Sequence, residues 1–215
     1  LVIESGPYGT TCARVGCMPS KLLIAAAEAA RAAAAAPAFG VHPGPLRIDG
    51  EAVIERVRSE RDRFVGFVTE AVDQWPESHR LRGHARFVDE QVLEISATDA
   101  PDSEAHTRVE ASRIVIATGS RPVLPADWRA RLGERLIVND DVFAWTTLPA
   151  SVAVVGTGIV GLELAQVLHR LGVRVRLIGR SARLGPLTDP ALLESARQVF
   201  GHDMPLALNG SMIEL

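Results

Sequence analysis

The chain is poor in cysteine, in net charge and in long apolar runs, and each shortage excludes a class. Only two cysteines, Cys12 and Cys17, occur in 215 residues, too few for a small secreted scaffold stapled by disulfides. Against 26 acidic residues there are 23 Lys and Arg, a formal net charge of −3. That balance argues against general nucleic-acid binding, which depends on a basic surplus or patch. No apolar run of about 18–20 residues stands out, so no membrane-spanning helix is expected. The Ala-rich stretch from Ala25 to Ala36 is interrupted by Glu28 and Arg31 and stops at Pro37, which reads as a soluble helix. Leu1-Val2-Ile3-Glu4 lacks the basic start and cleavable apolar segment of a secretory signal, and a cytoplasmic location is expected. The first residue is not Met and lies inside a strand-like run. A piece of a longer polypeptide is therefore expected.

What is present is ordinary in bulk and specific in detail. Hydrophobic residues make up 47%, so a chain of this length can bury a core and hold one or two domains. Leu1–Glu4 reads as a buried strand, followed by a loop of Gly and small polar residues up to Thr11. A helix through the cysteine segment ends near Pro37, and Pro43 and Pro45 punctuate a loop. Apolar spacing at Val53, Ile54, Val57, Phe64, Phe67, Val68 and Val72 predicts an amphipathic helix from Gly50 to about Gln74. Short strands are expected at Gly83–Val88, Val92–Ala97 and Arg113–Ala117, with Asp99–His106 as a hairpin loop. Pro122–Pro149 reads as an irregular connection. From Ser151 the pattern is strand (Val152–Val155), Gly-rich turn, helix to about Leu171 and strand (Val173–Ile178), a βαβ unit that opens a second domain. Another helix starts near Pro190.

Gly156-Thr157-Gly158-Ile159-Val160-Gly161 fits G-x-G-x-x-G directly after a strand and at the start of a helix, the context that dinucleotide binding needs. Gly156 permits a tight turn, Gly158 lets the backbone approach a pyrophosphate, and Gly161 allows close packing of helix on strand. The helix N-terminus then offers free N–H groups to phosphates. At the end of the second strand, where an NAD site offers Asp or Glu to the ribose, the sequence has Gly179-Arg180-Ser181. Arg180 suits a 2′-phosphate but is equally a solvated surface charge, so NAD and NADP both remain open.

Cys12-Ala13-Arg14-Val15-Gly16-Cys17 separates two thiols by four residues. A bridge between them needs a distorted turn, which Gly16 eases. Two cysteines are half a zinc site and the six His are scattered, so no metal is expected. Two unrelated buried thiols remain the alternative; the surrounding segment decides. Gly9-Thr10-Thr11-Cys12 through Gly16-Cys17-Met18-Pro19-Ser20-Lys21, or G-x-T-C-x-x-x-G-C-x-P-S-K, resembles the active-site stretch of the class I pyridine nucleotide–disulfide oxidoreductases. Thr10 replaces the more common second Gly, a mild departure.

Further segments resemble the same family in the same order. Glu4 matches the acid that holds the FAD ribose, with Ser5 beside it. Arg82-Gly83-His84-Ala85-Arg86-Phe87 resembles the strand whose backbone meets the adenine. Ala117-Thr118-Gly119-Ser120 resembles the segment that closes over the flavin. Gly161-Leu162-Glu163 resembles the end of the nicotinamide motif, whose Glu pairs with the Lys of P-S-K. The resemblance covers nearly the whole chain.

It implies an α/β fold of two Rossmann-like, FAD- and NAD(P)-binding domains, both incomplete here. Residues 1–149 would be an FAD-binding domain lacking its first strand–GxGxxG–helix, and 150–215 the N-terminal part of an NAD(P)-binding domain. It also implies a redox-active Cys12–Cys17 disulfide, with Cys12 exchanging with substrate and Cys17 facing the flavin. Lys21 would stabilise charge on reduced flavin and Glu163 would orient it. FAD would be bound by Glu4, Ser5, Gly9, Thr10, Thr11, Lys21, His84, Ala85, Ala117, Thr118 and Gly119. NAD or NADP would be bound by Gly156, Gly158, Ile159, Val160, Gly161, Glu163 and Arg180. The family's His–Glu acid–base pair belongs to a C-terminal domain, and no His here has its context. Asn139-Asp140-Asp141-Val142-Phe143 and Gly185-Pro186-Leu187-Thr188-Asp189-Pro190 resemble bacterial sequences called dihydrolipoyl dehydrogenase. A small-molecule or lipoyl-domain dithiol is therefore the expected partner, in a homodimer when full length, with neither nucleic acid nor membrane. A glutathione-reductase-like NADPH disulfide reductase is the runner-up, and a non-catalytic nucleotide-binding fragment is the reading from another class.

Overall fold

The computed structural model describes residues 1–98 and 106–209. In chain order the elements are β1 (Val2–Glu4), α1 (Thr11–Val15), α2 (Cys17–Ala35), α3 (Gly50–Asp73), β2 (Arg80–Arg82), β3 (His84–Asp89), β4 (Val92–Ser96), β5 (His106–Glu110), α4 (Ala126–Leu132), β6 (Ser151–Val155), α5 (Ile159–Arg170), β7 (Arg174–Ile178), α6 (Pro190–Asp203) and β8 (Leu206–Ala207). They fall into two compact units. One holds Leu1–Thr11 and Arg63–Arg121, the other Cys12–Asp62 and Pro122–Leu215. The Ala-rich α2 packs on α5, which draws it into the unit of the C-terminal βαβ.

In the first unit β1 runs parallel to β2, with Glu4 opposite Arg82. The strand forms as expected, but it is not buried: Leu1 and Val2 are exposed, because among the described strands β1 pairs with β2 alone. β3, β4 and β5 form an antiparallel sheet with β4 in the middle. The central strand buries Val92, Leu93 and Ile95, as position in a sheet dictates. Gly83 joins β2 to β3 at φ +159°, and a Cβ there would lie 2.4 Å from the Ser96 carbonyl oxygen, so no side chain fits.

The third expected strand is displaced. Residues 106–110, with β-branched Thr107 and Val109, take the edge of β4 in five paired positions. Arg113–Ala117 belongs to no helix or strand, and Val115 and Ile116 are exposed. Apolar composition alone does not make a strand; a ladder partner does, and this segment pairs with none of the described strands. Of the expected hairpin loop Asp99–His106, residues 99–105 lie outside the described residues, and His106 opens β5.

In the second unit β6, β7 and β8 form a parallel sheet in that order. Alternation along β7 buries Val175 and Leu177 and exposes Arg174 and Arg176. α5 is the crossover between β6 and β7, and its Leu164, Ala165, Val167 and Leu168 are buried. Leu23 and Ala27 of α2, Ile54 and Val57 of α3, and Met204 join this core. Pro122–Pro149 is less irregular than expected: it holds α4 and a 3₁₀ turn at Asn139–Ala144 that buries Val142 and Phe143. Arg61 Nη1 secures that turn by donating to the Phe143 carbonyl at 2.7 Å.

One expectation about composition is overturned. The helical stretch Thr11–Phe39 is long and apolar enough, by length and composition only, to cross a membrane. Alanine is apolar but small, so many alanines add up to a high mean hydropathy without a conspicuous run of large residues. Here Leu23, Ala27 and Ala30 of this stretch are buried in the protein.

Candidate active site

The cysteine segment is a broken helix. α1 ends at Val15, α2 begins at Cys17, and Gly16 between them lies outside both helical and extended backbone regions. The break places Cys12 in the first turn of α1 and Cys17 at the start of α2. Both are free, exposed thiols, so the expected pair stands in its open form rather than as a closed bridge. The Cys12 hydrogen bond, followed by repulsion from charge on Cys12, pushes the Cys17 thiol above its ordinary range; the Lys21 charge opposes this without cancelling it. Cys17 therefore keeps its proton to higher pH than an isolated thiol.

One turn further along α2, Lys21 Nζ donates to Glu163 Oε2 at 2.7 Å. Lys21 is the only lysine among 23 basic residues. An ammonium is a compact point charge with three donors, which the planar guanidinium does not reproduce. Burial pushes the Glu163 carboxyl up, but hydrogen bonds from Lys21 and Ser20 and the Lys21 charge outweigh it, leaving Glu163 below the usual carboxylate range. Ser20 is buried, and its Oγ also lies 3.2 Å from the Cys17 carbonyl oxygen. Sequence reasoning did not single out Ser20, since a serine inside P-S-K gives no sign of burial.

Glu163 sits just over one turn into α5, and the same helix opens on the glycine turn. Gly156 holds φ +119°, and its N–H donates to the Ile178 carbonyl at 2.9 Å, placing the turn beside the end of β7. A Cβ on Gly161 would lie 2.0 Å from the Gly156 carbonyl oxygen, whereas one on Gly158 would meet nothing within 4 Å. Gly161 is thus demanded by packing, whereas the space beside Gly158 is open. Gly158 caps α5 without a side-chain hydrogen bond, and Ile159 and Val160 are exposed. The first N–H groups of α5 are open to an anionic ligand, so this cradle fits a dinucleotide pyrophosphate. Arg180 is exposed just beyond β7. Gly179, also missed from sequence, is buried, and a Cβ there would lie 2.8 Å from Thr157 Cγ2.

The remaining expected residues lie in the other unit. Glu4 Oε1 accepts from the Gly6 N–H at 2.7 Å, and its main-chain carbonyl accepts from the Gly83 N–H at 3.1 Å. Ser5 accepts through its carbonyl from Thr98 Oγ1 at 3.4 Å. Arg82 donates to the Gly6 carbonyl and covers the Tyr8 ring at 5.0 Å, holding the loop after β1; its partners are distant in sequence, so it was not foreseen. Gly9 is buried, and Thr10 holds φ +50°. A β-branched residue thus occupies a left-handed position where the commoner glycine would be unstrained. Thr11 is exposed, as are His84 and Ala85 on β3. His84 pairs with Ser96 and Ala85 with Ile95. Ala117, Thr118 and Gly119 are exposed in the segment after β5. The free second oxygen of Glu4, beside an open glycine-containing loop, fits the ribose hydroxyls of a flavin nucleotide.

The sequence profile described as Pyridine nucleotide-disulphide oxidoreductase matches residues 1–203. A mercuric reductase of Streptomyces lividans is 34% identical over 209 residues, covering 93% of this chain and 41% of that protein. A dihydrolipoyl dehydrogenase of Bacillus subtilis is 29% identical over 193 residues, covering 87% of this chain and 40% of that protein. Among solved structures, a Cu(II) complex of the HOCl-induced flavoprotein disulfide reductase RclA of Escherichia coli, a cysteine-to-serine mutant, superposes with a TM-score of 0.75. It shares 18% identity and is covered to 43%, against 97% of this chain. The chain spans less than half the length of these relatives. With the profile matched over nearly its whole length, the chain belongs to the FAD-dependent pyridine nucleotide–disulphide oxidoreductase family.

Proposed function

We propose that the full-length protein passes electrons between a dithiol or disulfide substrate and NAD(P) through Cys12 and Cys17, with dihydrolipoamide, free or on a lipoyl domain, as the substrate. The observation that carries this reading is the free thiol of Cys17 one turn from the Lys21–Glu163 ion pair, whose Glu163 lies on the helix that the glycine turn opens. In the reducing direction the Cys12 thiolate attacks one sulfur of the substrate disulfide. A Cys12–substrate bond forms, the substrate S–S bond breaks, and the first substrate sulfur leaves as a thiolate that takes up a proton. Cys17 then loses its proton and attacks Cys12, releasing the second substrate thiol and closing the Cys12–Cys17 bridge. Oxidation of a dithiol runs the same steps backwards.

FAD, held by Glu4 and the loop after β1, would relay two electrons between the nicotinamide and this cysteine pair. Lys21 supplies fixed positive charge near the thiols, and Glu163 keeps its amine in place. By resemblance to the family, Cys12 is the thiol that meets substrate first and Cys17 the one that faces the flavin. Similarity to dihydrolipoyl dehydrogenase supports lipoamide. Arg180, exposed at the end of β7 where a ribose-binding carboxylate is missing, supports a second reading, an NADPH-dependent disulfide reductase of the glutathione-reductase kind. We also take the protein to act in the cytoplasm as a homodimer, without nucleic-acid or membrane partners. The slightly acidic charge supports the lack of a nucleic-acid partner and the burial of Leu23, Ala27 and Ala30 the lack of a membrane one; the homodimer rests on the family resemblance.

Steady-state assays of the full-length protein with lipoamide and with glutathione, each with NAD(H) and NADP(H), separate the two readings. Turnover of lipoamide with NAD⁺ supports the first, and preference for glutathione with NADPH supports the second. Cys12→Ala is expected to abolish disulfide turnover while yellow flavin stays bound; turnover retained in that variant would overturn both.

A further inference from the structure

Two ion pairs of opposite polarity join α2 to α5. Lys21 on α2 meets Glu163 on α5 at 2.7 Å, and Glu28 on α2 meets Arg170 on α5 at 2.5 Å. Both pairs join residues 142 apart in sequence, so the helices run parallel in one register. Each helix spans seven residues between its two charges, about two turns. The polarity is reversed from one pair to the next. Sliding α5 by seven residues along α2 would set Lys21 against Arg170 in one direction and Glu28 against Glu163 in the other, like charge on like charge.

The seam between these helices needs such a device. The buried residues of α2 beyond its first turn are Leu23, Ala27 and Ala30, and Ala165 of α5 is also fully buried. Small side chains form shallow ridges and grooves, so packing alone specifies the register weakly, and polar contacts decide it. Arg170 is well placed for that task. Its side chain is only 18% exposed and also reaches Asp203 Oδ2, at the end of α6, at 3.7 Å. Gln166 on α5 reaches the same Asp203 oxygen at 3.4 Å. As the last residue of α5, Arg170 also sits where a cation complements the helix dipole.

We propose that Arg170 and Glu28 are positioning residues for the thiol site: they hold α5 in the one register on α2 that brings Glu163 to the Lys21 amine. This rests on the proposed function for what the Lys21–Glu163 pair serves, but not for the register itself. Neither residue touches the cysteines; each acts through the seam.

Lys21 is the only lysine of these 215 residues, so an acylated peptide from this stretch reports its amine alone. The full-length flavoprotein is treated with an amine-acylating succinimidyl ester, and the rate at Lys21 is read by peptide mass spectrometry. Arg170→Gln and Glu28→Gln are each expected to speed acylation about fivefold, a coupling typical of neighbouring groups. Arg170→Lys, which keeps the charge, should stay near the parent rate. In a Glu163→Gln background, Arg170→Gln should add nothing. Unchanged rates in both Gln variants, or a full further increase in the Glu163→Gln background, would overturn the proposal. If Arg170 were merely structural, its loss would lower Tm and leave the Lys21 rate alone. Should Arg170→Gln fail to fold, the half-exposed Glu28 carries the same test. Retained turnover in Cys12→Ala would overturn the electron-transfer reading while leaving the acylation result intact, so the two failures are distinguishable.

Discussion

At the scale of single residues, steric and electrostatic demands are sharpest at Gly161 and Glu163. A methyl group on Gly161 would lie 2.0 Å from the Gly156 carbonyl oxygen, so Gly161→Ala must push the turn away from α5. Overpacking of this kind costs about 1–3 kcal/mol, and urea denaturation should show it. The same variant should lose affinity for NAD(P), read by fluorescence titration, because the displaced turn no longer presents the first N–H groups of α5. Glu163 gives a pH signature. Its carboxyl is lowered below the ordinary 4.5, so the folded state binds its proton less tightly than the unfolded chain. The stabilisation is therefore fully present above about pH 4.5 and is lost as pH falls through the lower folded value. Glu163→Gln should cost about 0.5 kcal/mol at pH 7, small because Lys21 is largely exposed. The difference from the parent should shrink as pH falls below about 4.5 in paired urea titrations. A constant difference across that range would place the effect elsewhere.

At the scale of elements, local chemistry and packing share the work. α6 begins at Pro190, whose ring suits a first helical position, and Asp189 caps it by accepting from the Ala191 and Leu192 N–H groups at 2.9 and 3.0 Å. Asp189→Ala should cost about 1 kcal/mol, seen as a lower Tm with the fold retained. This helix start was readable from Asp189-Pro190, as was the βαβ from β6 to β7, because hydrophobic period and turn chemistry agree there. The strand expected at Arg113–Ala117 shows the limit. Its Ile-Val-Ile run has the propensity of a strand, but strand formation depends on a neighbour that propensity cannot supply. The burial expected of β1 failed for the same reason.

At the scale of the whole molecule, the irregular stretch that ends the first compact unit and leads into α4 is the weak point for proteolysis. Residues 111–125 belong to no helix or strand, and Arg113 is exposed. Limited trypsin digestion of the 215-residue chain should cut first after Arg113, with earliest products identified by mass spectrometry; initial cleavage within α2 or α5 would contradict this. The same segment carries Ala117, Thr118 and Gly119, so cleavage there separates them from the strands that precede them. What the sequence by itself determined is local in origin. The cysteine spacing, the glycine turn on a βαβ unit and the helix caps each depend on residues a few positions apart. Only the tertiary structure decided that α2 joins the C-terminal unit, that Ser20 is buried beside Glu163, and that Arg170 reaches Glu28. Those contacts link residues more than a hundred positions apart, and their energy comes from faces that exist only once the helices have packed. Cys12 and Cys17 were legible as a pair; the helix break at Gly16 that separates α1 from α2 was seen only in the structure.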